Sequence, residues 1–165
     1  MENSNNNNGE IDKNTVLNLY QLVCNGSASK LNRFITTHSL QRSAESVLNC
    51  RPGSNFKEKT AIPRPAIEKA DQVPFSHLIV EKPTLLVSAV CRGHASVVEE
   101  LLKLPSATDF IDASNHVFEV NVKGQVEWAA NEVTALMVAC ILGKIVSLYL
   151  TKKKPFVHVF HSQKR

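Results

Sequence analysis

The chain has 165 residues, 43% of them apolar, which is the length of one domain and enough apolar material for a core if it sits in regular elements. Its formal net charge of +4 is local, because Lys152, Lys153, Lys154, Lys164 and Arg165 supply the excess and leave the rest close to neutral; charge therefore makes no general case for nucleic-acid or membrane-surface binding by the body of the chain. Cys24, Cys50, Cys91 and Cys140 are widely spaced with no Cys-x-x-Cys pair and no clustered His, which argues against zinc or a redox dithiol and for buried thiols in a reducing compartment.

Residues 1–13 are polar and Asn-rich, with nothing to bury, and are expected to be a disordered leader. They hold no basic segment followed by an apolar run. No stretch of the chain reaches the roughly 18 apolar residues that a bilayer crossing needs, so the expected home is cytoplasm or nucleus, with no membrane span.

The organising stretch lies at 83–102, PTLLVSAVCRGHASVVEELL. Thr84 reads as an N-cap, Leu86, Ala89 and Val90 make one apolar face, and Gly93 ends it in the left-handed conformation usual after a helix. Val97, Val98, Leu101 and Leu102 then repeat the 3.6-residue face, with Glu99 and Glu100 toward water. Residues 14–50 overlay this motif with Gly26 under Gly93, Cys24 under Cys91, and Leu31, Phe34 and Ile35 under Val98, Leu101 and Leu102. Leu40, Ala44, Val47 and Leu48 add a short third helix. Between the two units, 51–82 carries Pro52, Pro63, Pro65 and Pro74 among many charges and little apolar period, and is expected as a long exposed loop.

After Leu102, Val117–Glu119–Asn121 alternates with Phe118–Val120–Val122, a period of two that implies extended chain. Lys123-Gly124 signals a turn, and Gln125 to Trp128 returns as a partner strand, giving a hairpin-like finger. Thr134, Leu136, Ala139 and Gly143 then reproduce Thr84, Leu86, Ala89 and Gly93 at one constant offset. The apolar register is lost beyond Gly143, so 145–165 is expected to be a basic tail outside the repeats.

The pattern Thr-x-Leu-x-x-Ala-x-x-x-Gly-His, followed by Val-Val and Leu-Leu, resembles the ankyrin repeat, a helix pair that stacks into a solenoid. The Thr-Pro-Leu-His opening of that repeat is here Thr84-Leu85-Leu86-Val87. With the long finger ending in Val126-Glu127-Trp128, the chain resembles the N-terminal part of the feminization (Fem) family of cullin-RING ubiquitin ligase substrate receptors. The resemblance implies an all-α fold: a short ankyrin-type solenoid with 14–50 as a degenerate first repeat, repeats and finger over 83–144, and disordered ends.

It also implies a function. Fem proteins hold the C-terminal tail of a substrate between acidic and aromatic walls. Carried onto this chain, the peptide-binding residues are Glu127, Trp128, Glu132 and Met137. Ala129 departs from the family, which places an acidic residue directly after the finger aromatic; Glu132 substitutes for it only if the finger folds differently. The cullin-binding box lies far downstream in such proteins, so cullin-RING ligase components are implied as partners only of a longer form.

The expected function is thus a protein–protein interaction module, a truncated substrate-recognition fragment that binds C-terminal tails. The alternative is a basic-tail protein whose Lys152–Lys154, Lys164 and Arg165 bind nucleic acid or acidic lipid weakly and in a salt-sensitive way. An enzyme is not expected, nor a cofactor. The sequence offers no phosphate-cradling glycine loop, no nucleophile elbow and no His-Glu-x-x-His, and His94 reads as a residue that satisfies backbone groups between helices.

Overall fold

In the computed structural model the described residues are 11–53, 55–62, 76–105, 107, 111–121 and 123–143. Asp12 caps the first helix, α1 (Lys13–Cys24), its carboxylate accepting from the Asn14 and Thr15 backbone N–H groups at 2.9 and 3.0 Å. The helix buries Leu19, Tyr20 and Val23, a 3–4 spacing that puts one stripe on the core. Gly26, at φ +66°, turns the chain into α2 (Ala28–Thr37), which buries Leu31 and Ile35. A 3-10 turn (Leu40–Ser43) leads into α3 (Ala44–Asn49), with Ala44, Val47 and Leu48 inward.

The second helix pair, α4 (Leu85–Arg92) and α5 (Ala95–Leu102), carries the deepest packing. Every residue of α4 from Leu85 to Cys91 is buried, the signature of a helix enclosed on all sides. Thr84 Oγ1 accepts from Val87 N–H at 3.3 Å, and Gly93 closes the helix at φ +75°. Helices α1, α3 and α5 pack around α4, as does α6 (Ala135–Ile141), while α2 packs on α5. Among the described residues no helix is long and apolar enough to cross a membrane.

The all-α expectation is overturned by a four-stranded antiparallel sheet, order β1-β2-β3-β4: β1 Lys57–Ala61, β2 His77–Glu81, β3 Asn115–Val120 and β4 Val126–Val133. The fold is α+β and not an ankyrin-type solenoid. Two of the strands come from the stretch expected as a proline-rich loop. Their sequences, KEKTA and HLIVE, are short and carry no clean apolar alternation in isolation, and become strands by pairing with a distant segment: Leu78 faces Glu119, and Val80 faces Val117. The intervening 63–75 and the basic tail 145–165 lie outside the described residues, as do residues 1–10 of the expected 1–13 leader, whose Asp12 and Lys13 cap and begin α1.

One face of the sheet belongs to the core. Glu58, Leu78, Val80 and Val117 are buried there, whereas His116, Phe118, Lys57 and Glu81 share the outer face. On that outer face Glu81 joins Lys57 at 2.6 Å and His116 at 3.0 Å, and the hydrogen bond from Lys57, then that from His116, holds its carboxyl below the usual range.

Polar side chains fix how the parts meet. His94 Nε2 lies 3.2 Å from the Cys24 carbonyl; a carbonyl only accepts, so the ring donates from Nε2 and joins the turn of one helix pair to that of the other. A Cβ on Gly26 would sit 2.8 Å from the His94 ring. Tyr20, buried under α4's entry, donates its hydroxyl to the Pro83 carbonyl, with the Cys50 carbonyl at 3.3 Å, and its ring meets Phe56 edge-on at 5.3 Å. Asn115 is buried and satisfied on both ends of its amide: Oδ1 accepts from Thr84 N–H at 3.1 Å, and Nδ2 donates to the Ala113 and Val133 carbonyls at 2.9 and 3.2 Å. Arg51 completes that knot by donating to the Lys82 and Ser114 carbonyls, each at 2.7 Å.

Gly26→Ala combines a left-handed backbone with the His94 collision and is expected to lower unfolding free energy by about 1–3 kcal/mol in urea melts. In a His94→Ala background only the backbone part of that loss should remain; an unchanged penalty would show that the ring contact contributes nothing. Burial pushes the Cys50 thiol from 9.0 up to about 12, so the folded chain keeps a proton that the unfolded chain releases near pH 9. This contribution is complete below pH about 9 and is lost as pH rises toward 12. Stability measured across that window is expected to fall less steeply in Cys50→Ala than in the parent.

Candidate functional site

The four residues that the Fem resemblance implies lie on β4 and the helix after it. The β3–β4 turn is built by Asn121, whose Oδ1 accepts from Lys123 N–H at 2.9 Å and Gln125 N–H at 3.0 Å, with Gly124 at φ +78°. This Asx-type turn is why the chain reverses where it does. The register then runs Val120↔Val126, Glu119↔Trp128, Phe118↔Ala129, Val117↔Ala130 and Asn115↔Val133.

Two irregularities interrupt that ladder, and both add residues on β4. Glu127 falls between the Val126 and Trp128 pairs and has no opposite residue. Asn131 and Glu132 together stand across from His116 alone. Glu132 sits at φ +63°, a left-handed conformation for a residue with a Cβ. Bulges of this kind bend a strand and turn individual side chains off its regular two-face alternation. Both Glu127 and Glu132 are exposed.

Trp128 plays a different part. Its indole Nε1–H donates to Glu119 Oε2 on the neighbouring strand, and its ring packs against the core while remaining half-exposed. The donor is thereby used inside the protein, and what is left for a partner is ring surface. Ala129, the departure from the Fem pattern, is exposed and paired with Phe118. Met137 lies in the first turn of α6, where Thr134 Oγ1 caps its backbone N–H at 3.3 Å, and the residue is 37% exposed. Val126, at 59%, is more exposed still. The structure therefore brings Glu127, Trp128 and Glu132 onto one strand, and puts Met137 on the element that follows.

Glu119 and Val126 were not singled out from sequence. A register for the finger would have found Glu119, since it is the residue directly opposite Trp128, but that register depends on the Glu127 bulge, and a one-residue slip changes every pair. A second polar cluster joins residues far apart in sequence and leaves no local motif. Glu58, 4% exposed, pairs with Arg92 Nε at 3.0 Å, raising the arginine's pKa through that hydrogen bond, and the Cys24 thiol lies 3.9 Å from the same carboxylate. Burial pushes the Cys24 thiol up, which makes it a poor nucleophile. With Thr60 Oγ1 donating to the Cys91 carbonyl at 3.4 Å, this cluster anchors β1 to the end of α4. Among the described residues His, Cys, Asp and Glu form no group of three able to hold a metal ion.

Because the chain contains a single tryptophan, Trp128 reports on its own surroundings. Glu119→Ala removes the indole's acceptor, and the expected result is a red-shifted emission maximum with the helical far-UV signal retained. An unmoved maximum would show that the Glu119 bond does not hold the ring.

No protein-family model, curated protein or solved structure matches this chain, and with the sheet in place of a solenoid, the assignment to a ubiquitin pathway as a substrate receptor is withdrawn.

Proposed function

We propose that this protein is an interaction module whose direct activity is to hold a peptide or a partner's C-terminal tail along the β4–α6 surface. The observation that carries the reading is the pair of bulges in β4, which present Glu127 and Glu132 to solvent on either side of the half-exposed Trp128 ring. Carboxylates bind a basic group through charge-assisted hydrogen bonds. An aromatic ring fixed by its own hydrogen bond offers contact area with little conformational entropy left to lose. Met137 and Val126 are exposed as well, and Met adapts to irregular partners. Binding of this kind needs no reacting group.

The test is titration of the whole chain with peptides that end in Arg or Lys, followed by Trp128 emission and compared with peptides of the same sequence ending in Ala. The basic tails are expected to bind at least tenfold more tightly, with Trp128→Ala, measured by anisotropy of a labelled peptide, losing most of that affinity. Equal affinity for basic and neutral tails, or full binding by Trp128→Ala, would remove the reading.

A further inference from the structure

The two edges of the sheet are not alike. At one edge β1 carries Lys57 and Lys59 on its outer face, and Lys57 is already engaged, paired with Glu81 at 2.6 Å and lying 5.6 Å from the Phe118 ring. Lysines on an edge strand are a familiar guard against unwanted strand pairing. At the other edge β4 contains no Lys, Arg or Pro. The strand order leaves one side of β4 without a strand partner among the described residues, so the outward N–H and C=O groups on that side are not used by the sheet. Its only charges are Glu127 and Glu132, and each lies at a bulge.

We infer that β4 receives an extended cationic segment of a protein partner as a fifth strand, paired along Trp128–Ala130 and flanked by Glu127 and Glu132. This rests on the interaction-module reading and specifies how the partner is held. The stretch between the bulges is regular, with consecutive pairs Glu119↔Trp128, Phe118↔Ala129 and Val117↔Ala130 on its inner side, and the small side chains of Ala129 and Ala130 crowd an incoming strand on neither face. Carboxylates at both ends, five residues apart, select cations on the partner no more than about 16 Å apart, from roughly 3.3 Å of rise per residue. Main-chain hydrogen bonds supply affinity and the flanking charges supply selection, as in other strand-addition complexes. The β1 edge, bearing lysines, repels the same segment.

The experiment uses the whole chain and four synthetic peptides. The parent is Lys-Thr-Val-Thr-Val-Lys, blocked at both ends. The second replaces each Lys by Glu, and two more N-methylate either the odd or the even positions. Only alternate N–H groups of an added strand point at its neighbour. The expected pattern is therefore binding by the parent, at least tenfold weaker binding by the Glu-ended peptide, loss with one N-methylated set and retention with the other. The double variant Glu127→Lys, Glu132→Lys, both exposed positions, should invert the charge preference.

Equal binding by both N-methylated peptides, with the parent still bound, overturns strand addition and leaves the interaction module standing. Absence of binding by the parent peptide, while tails ending in Arg bind in the fluorescence titration, also overturns it alone. Failure of every cationic peptide removes both. A concentration-dependent dimer in sedimentation that the double charge reversal abolishes would assign the edge to a second copy of this chain and overturn the proposal.

Discussion

The structure depends on the enclosure of α4. From Leu85 to Cys91 that helix has no face left for water, so it is stable only with neighbours on every side, and the placement of the other elements follows from supplying them. Helix α1 covers one side, α6 another and α5 a third, while β1 and α3 close the rest. A single amphipathic stripe would have needed one partner. Seven consecutive buried side chains need a shell, and they tie sequence-distant segments into one core in which Leu19, Leu31, Leu78, Val80, Val117 and Val138 all take part.

Apolar burial does not fix direction, and polar groups supply it at both ends of α4. At the entry, Thr84 caps the helix while its own N–H is held by Asn115, whose amide also reaches the end of β4 through the Val133 carbonyl. At the exit, Arg92 and the buried Glu58 join the helix to β1. Each contact satisfies a group that would be costly to leave unpaired in the interior. The His94 bridge to Cys24 does the same between the two turns, and Gly26 is required beneath it both by its positive φ and by the closeness of the ring. The sheet is thus tied to α4 through β1 and through Asn115 at the start of β3.

β4 is the least regular part of that arrangement. It finishes the sheet, receives two bulges, and holds Glu132 in a left-handed conformation, yet one end is pinned by Asn115 and the middle by the Trp128–Glu119 bond. A strand anchored at the core and irregular at its rim presents side chains outward without loosening the fold. The contrast with the lysine-bearing β1 makes the two edges chemically distinct surfaces on one small sheet.

Much of the helical part was legible from residues alone. Thr84, Gly93 and the 3.6-residue apolar spacing place α4 and α5, and the same signs placed α1, α2 and the start of α6, because capping and helical periodicity are local and each is complete within about ten residues. The finger was legible through the Lys123-Gly124 turn signal and the alternation before it, while the part of Asn121 in building that turn came from the structure. β1 and β2 were not, because KEKTA and HLIVE become strands only when their edges meet β3, and pairing between distant segments leaves no mark on either taken singly. Of the candidate site, Glu127, Trp128, Glu132 and Met137 were named only through the resemblance to the Fem family. Tertiary structure alone decided what they face, since bulge positions, the Glu119 partner and the exposure of the edge are set by register, a relation between strands that no single strand encodes.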